Sequence, residues 1–168
     1  MSLFQIEYEE GVAPLLEKTE RLLQTQMEQV LHCLAKDTGS VGILFCSERR
    51  IQELNREFRQ MDAPTDILSW LYADESMPVL PPEETPWGEL AICVSICKRQ
   101  AEQFGWGLAI ELQRLIVHGL VHLAGYDHET PAEEQAMVRL EADLLSRIGL
   151  AGIYGKRLPK ARFRRGLR

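Results

Sequence analysis

The chain has 168 residues, 45% of them hydrophobic and 26% charged, which fits one globular domain and excludes a disordered chain. Lys and Arg total 19 against 25 Asp and Glu, a net charge of −6 that excludes a general nucleic-acid-coating protein. No run approaches the roughly 18–20 apolar residues of a membrane helix, and the N-terminus lacks the basic start of a secretory signal, so a cytoplasmic protein is expected.

Leu3–Tyr8 alternates apolar and polar residues, the pattern of a half-buried strand. From about Val12 to Leu34 apolar residues recur every three or four positions, which predicts a helix ended by Gly39-Ser40. Val41–Cys46 is a short apolar run, read as a buried strand. Ser47 is a plausible N-cap for a helix reaching about Phe58. Ile67–Tyr72 reads as a third strand, and Asp74–Trp87, with four prolines, as a loop. Leu90–Ser95 is the fourth strand, followed by a helix to about Phe104. The next helix spans about Leu108 to Ala124. Thr130-Pro131-Ala132-Glu133 forms a capping box with proline at the first helical position, opening a last helix that Gly149 ends.

Strands and helices do not alternate strictly. The fold class is therefore α+β: a small mixed sheet of about four strands with five or so helices packed on it. Residues 1–155 form a single domain. Lys156–Arg168 is a basic tail with seven cations and no acid, set against 12 basic and 25 acidic residues in the body. Such a tail suits phosphate contacts, or serves as a solubilising end. Cys33, Cys46, Cys93 and Cys97 lie among apolar residues and are expected to be buried free thiols.

The four histidines are unevenly spread, and three of them fall in His118-Gly-Leu-Val-His122-Leu-Ala-Gly125-Tyr-Asp127-His128. His118 and His122 differ by about 40° in azimuth and roughly 6 Å in height on a helix, so they share a face. Two imidazoles at that spacing can hold one divalent metal, and Gly125 permits a left-handed turn that would return His128 to it. Three histidine ligands leave one coordination position open, the mark of a catalytic zinc-type site. Asp127 is either an acceptor orienting an imidazole or a turn residue bonded to its own backbone.

The spacing matches the metzincin signature, with Gly119 where those peptidases carry their general-base glutamate. A peptidase mechanism therefore lacks its base. A second region, Asn55–Ser69, packs a helix end, a proline turn and a strand start together, which would bring Arg59 and Asp66 to a sheet edge. A guanidinium beside a metal suits phosphate, because its fork is planar, bidentate and permanently charged. Arg59 as an ordinary surface charge is the competing reading.

These residues resemble the YbeY family of bacterial metal-dependent endoribonucleases. His118 to His128 matches that family's H-G-x-x-H-L-x-G-Y-D-H motif at every defined position. Asn55 to Trp70 follows its arginine stretch, with Ile67 and Trp70 as variants, and Trp87-Gly88-Glu89-Leu90 its L-G-(D/E)-I segment. The resemblance implies that His118, His122 and His128 bind zinc or a similar divalent ion and that Arg59 is the catalytic phosphate-holding residue. It also implies single-stranded RNA as substrate, with roles in small-subunit rRNA 3′-end maturation and ribosome quality control. Leu71-Tyr72 after Trp70, the Asp74–Trp87 loop and the basic tail depart from the family pattern. A metallohydrolase of peptides or esters, and a non-catalytic zinc-containing ribosome-assembly factor, are the alternatives.

Overall fold

A computed structural model describes residues 3–36, 39–71, 86–126 and 129–153. In chain order the elements are β1 (Phe4–Tyr8), α1 (Glu17–Cys33), β2 (Ser40–Cys46), α2 (Glu48–Arg59), β3 (Ile67–Leu71), β4 (Pro86–Cys93), α3 (Val94–Phe104), α4 (Leu108–Leu123) and α5 (Pro131–Arg147). The sheet order is β1-β2-β4-β3, with β1, β2 and β4 parallel and β3 antiparallel to β4. This is the mixed four-stranded α+β architecture that the pattern predicts.

Alternation along each strand separates two cores. Val41, Ile43 and Phe45 of β2, Ile67 of β3, and Leu90 and Ile92 of β4 face the layer of α1, α4 and α5. Leu68, Ala91, Cys46 and Cys93 face α2 with its Ile51 and Leu54. Central strand β2 is covered on both sides, which is why it reads as an unbroken apolar run. Helix α4 lies deepest, with 0–2% exposure at Leu112, Leu115, Ile116, Val117, Leu120 and Val121. An all-round apolar helix belongs in the interior.

Predicted caps appear where expected. The Ser47 hydroxyl accepts from the Arg50 N–H, and Thr130 and Glu133 form the reciprocal capping box. Four expectations need correcting. Helix α1 starts at Glu17, five residues later than about Val12, because Pro14 has no N–H to give and holds Ala13 out of the helical region. The Leu15 N–H goes instead to the Tyr8 hydroxyl at 3.2 Å, and Val12 and Leu15 pack on the core from irregular chain. Pro86 and Trp87 belong to β4 rather than to the loop, since proline is tolerated at a strand's first position, here opposite a register shift at Ser40/Val41. The same strand ends at Cys93, two residues early, where α3 begins. Finally, Cys33 at the end of α1 is exposed, while Cys46, Cys93 and Cys97 are buried free thiols. The rest of the proline-rich loop, Asp127, His128 and the basic tail lie outside the described residues.

Candidate metal and phosphate site

Helix α4 carries the two described histidines of the motif, His118 and His122. His118 is buried and His122, one turn on, is partly open. The backbone then turns at Gly125, whose φ of +102° is the left-handed conformation the glycine was expected to supply.

The position between the histidines explains the missing glutamate. A Cβ on Gly119 would lie 2.8 Å from Leu90 Cδ2 and 3.1 Å from Ile67 Cδ1. This face of α4 presses directly on β3 and β4, so glycine is there for close approach and the helix has no room for a base. Gly88 below works similarly: a Cβ there would meet the Trp70 carbonyl at 2.6 Å and Leu123 Cδ2 at 3.0 Å.

The residue the sequence reading missed is Glu141 of α5. Its Oε1 contacts His118 Nδ1, and both side chains are almost fully buried. A carboxylate on Nδ1 selects the tautomer protonated there and leaves the Nε2 lone pair for a metal, the usual carboxylate–histidine–metal pairing. The chemistry of the donors therefore fits a divalent ion. A signal for Glu141 existed. It sits at the centre of the buried stripe Met137, Glu141, Leu144, Leu145, a charge on the face of α5 that should be apolar.

Arg59 comes from the other side of the sheet. Cys93 N–H donates to the Asp66 carbonyl at 2.9 Å, which sets the alternation along β3. Leu68 and Trp70 then turn their backbone polar groups toward β4, while Ile67, Ser69 and Leu71 turn theirs to the outer edge of the sheet. Arg59, in the last turn of α2, reaches this edge and its Nη2 donates to the Ser69 carbonyl at 2.6 Å. The predicted edge placement of Arg59 holds. Asp66 stands at the start of the same edge strand: its Oδ1 accepts from the edge-facing Ile67 N–H at 2.8 Å, while its Oδ2 accepts from Gln100 Nε2 at 3.2 Å.

Gln100 bridges Asp66 to a second buried charge on α4. Its Nε2 also donates to Glu111 Oε1 at 2.9 Å, and Glu111 accepts from Trp106 Nε1 at 2.8 Å and from Arg114 Nη2 at 2.5 Å. Glu111 and Arg114 are 0% and 3% exposed. The start of the edge strand that Arg59 bonds is thus tied by one amide to the helix of His118 and His122.

The cysteines take no part. Cys93 lies in the α2-side core and Cys97 in the α4-side core, so the pair cannot converge on one ion. Burial pushes the Cys46 thiol up to about 12 and Cys97 well above the ordinary range, so neither offers a thiolate at neutral pH. Among the described residues no three His, Cys, Asp or Glu side chains converge, the third expected ligand lying outside them. Nor, among those residues, is any helix long and apolar enough to cross a membrane.

This chain is similar to known proteins over most of its length. The family model described as endoribonuclease YbeY matches residues 5–149. A protein of Halalkalibacterium halodurans named endoribonuclease YbeY is 36% identical, over 87% of this chain and 96% of its own. One of Erythrobacter litoralis with that name is 40% identical, over 74% and 80% respectively. A Thermotoga maritima protein solved in solution superposes with a TM-score of 0.52 at 27% identity, covering 86% of this chain and 90% of that one. A family match over most of the chain, together with relatives at this identity, shows that the chain belongs to the endoribonuclease YbeY family.

Proposed function

We propose that the chain is a metal-dependent endoribonuclease that cuts single-stranded RNA in the cytoplasm, in small-subunit rRNA 3′-end maturation and ribosome quality control. The observation that carries this reading is the His118–Glu141 pair, a buried imidazole with its tautomer set for metal binding. His118, His122 and His128 would hold zinc or a similar divalent ion. Such an ion supplies Lewis-acid polarisation of a phosphoryl oxygen. Arg59 would bind the scissile phosphate, its guanidinium plane oriented by the Ser69 carbonyl, and offset charge in the transition state. Asp127 would orient an imidazole. An RNA substrate brings a 2′-OH nucleophile of its own, so this chemistry needs no carboxylate at position 119. The crowding at Gly119 weighs against a peptidase. The tail Lys156–Arg168, beyond the domain of residues 1–155, would hold rRNA phosphates.

The direct test is cleavage of labelled single-stranded RNA by the wild type beside identically prepared His122→Ala and Arg59→Lys proteins. His122→Ala is expected to lose activity at least 100-fold. Arg59→Lys keeps the charge without the fork and is expected to lose about tenfold or more. Equal cleavage by all three would show a co-purifying nuclease and remove the assignment. Cleavage by none, with metal bound in the wild type, would favour the assembly factor.

Glu141 gives a test that does not depend on turnover. Glu141→Gln keeps the shape but exchanges an anionic acceptor for a neutral amide. Zinc affinity measured by competition with a chromophoric chelator is expected to fall roughly 10–100-fold. An unchanged affinity would separate His118 from the metal.

A further inference from the structure

Helix α2 packs on the sheet through one stripe, Ile51, Leu54, Asn55, and the next position on that stripe is Phe58. The first three are buried, but Phe58 overhangs the outermost strand and is 47% exposed. Among the described residues its one ring contact is with Trp70 of β3, edge to face at a centroid distance of 5.7 Å and 75° between planes. The next residue on α2, Arg59, bonds the preceding residue on β3, Ser69. Consecutive residues of the helix thus grip consecutive residues of the strand, once by aromatic rings and once by a guanidinium. Among the described residues Phe58 is the one exposed Phe or Trp, and it adjoins the one cation bonded to the open sheet edge.

We infer that Phe58, backed edge-on by Trp70, is a stacking platform for an unpaired base of the substrate, with that nucleotide's phosphate on Arg59. This rests on the RNA-cleaving reading above and gives it a physical basis for strand selection. An edge-to-face partner fixes the Phe58 ring while leaving a face for another π system. A base in single-stranded RNA can lay its face on that ring, whereas a base within a duplex is stacked on its neighbours. Arg59 adds the electrostatic half, since basic groups beside aromatic rings follow the backbone while the rings take the bases. Stacking accepts any base, so the platform selects for unpaired strand rather than for sequence.

The test compares wild type, Phe58→Ala, Phe58→Leu and Phe58→Tyr for steady-state cleavage of a single-stranded RNA and of the same RNA with abasic sites flanking the cut. Phe58→Ala is expected to raise KM roughly 5- to 100-fold with kcat within about twofold. Phe58→Leu, which keeps apolar area but has no π face, should resemble Ala, and Phe58→Tyr should resemble wild type. On abasic RNA the four proteins should converge. Thermal melts should stay within a few degrees of one another, because the ring is half exposed and gives up only its contact with Trp70. Full activity in Phe58→Ala overturns the platform while leaving the nuclease intact. So does rescue by Leu, which would assign the patch to an apolar protein surface, and so does an equal penalty on abasic RNA. Absence of cleavage in the wild type overturns the nuclease reading and the platform together.

Discussion

A chain carrying Gly119→Glu, which restores the peptidase-type motif around His118 and His122, is expected to unfold rather than to cut peptides. The first carbon of the new side chain would already lie 2.8 Å from Leu90 Cδ2, in a core where Leu90 is 1% exposed. Overpacking at such a position costs about 1–3 kcal/mol. The carboxylate would then be trapped between α4 and the sheet, where an unpaired buried charge costs several kcal/mol more. A total of roughly 5 kcal/mol or more rivals the whole stability of an ordinary domain. Gly119→Ala separates the two contributions. It gains about 1 kcal/mol of helix propensity and loses about 1–3 kcal/mol to crowding, so a net loss of about 0–2 kcal/mol is expected. Urea denaturation followed by circular dichroism reads both. A folded Gly119→Glu protein of near wild-type midpoint would mean that α4 can lift from the sheet, and the packing explanation for the absent base would fail.

The same comparison shows what a sequence can and cannot convey about this site. His118, His122, Gly125 and Arg59 are legible because their signals are local: a one-turn spacing, a helix-stopping glycine, a cation at a helix end near a proline turn. Glu141 is 23 residues from His118, and no local rule joins them. Its signal, a carboxylate on an apolar stripe, says that a partner exists without saying which. Gly119 was legible as a missing base, yet its reason is the Leu90 and Ile67 side chains beneath it, a contact made only when the sheet forms. Boundaries failed for a related cause. Val12 and Leu15 satisfy helical periodicity while lying outside the helix, because apolar residues cover a core from irregular chain as well. Pro86 and Trp87 read as loop by composition, but register with β2 draws them into the ladder.

Arg114→Met is expected to cost about 3–5 kcal/mol through the buried anion it leaves behind. Arg114 donates through Nε at 3.3 Å and Nη2 at 2.5 Å to the two oxygens of Glu111, and its guanidinium carbon lies 5.8 Å from the centre of the Phe104 ring. Removing it leaves the wholly buried Glu111 carboxylate with two neutral donors, Gln100 and Trp106, and, among the described residues, no bonded countercharge. Methionine fills much of the vacated stem, so most of the loss comes from the stranded anion rather than from a cavity. For a domain of this size the melting temperature should fall by about 6–20 °C. Glu111→Gln added to Arg114→Met removes that anion while keeping a carbonyl oxygen for Gln100 or Trp106. The double variant is therefore expected to recover at least half of the deficit, despite having lost more of the native interaction. The pair would then matter to the fold chiefly because each charge is buried with the other. If the single variant loses less than about 1 kcal/mol, or the double falls further, the penalty does not come from an uncompensated charge. In either case the tie from α4 through Gln100 to Asp66 at the start of β3 would need another source of rigidity.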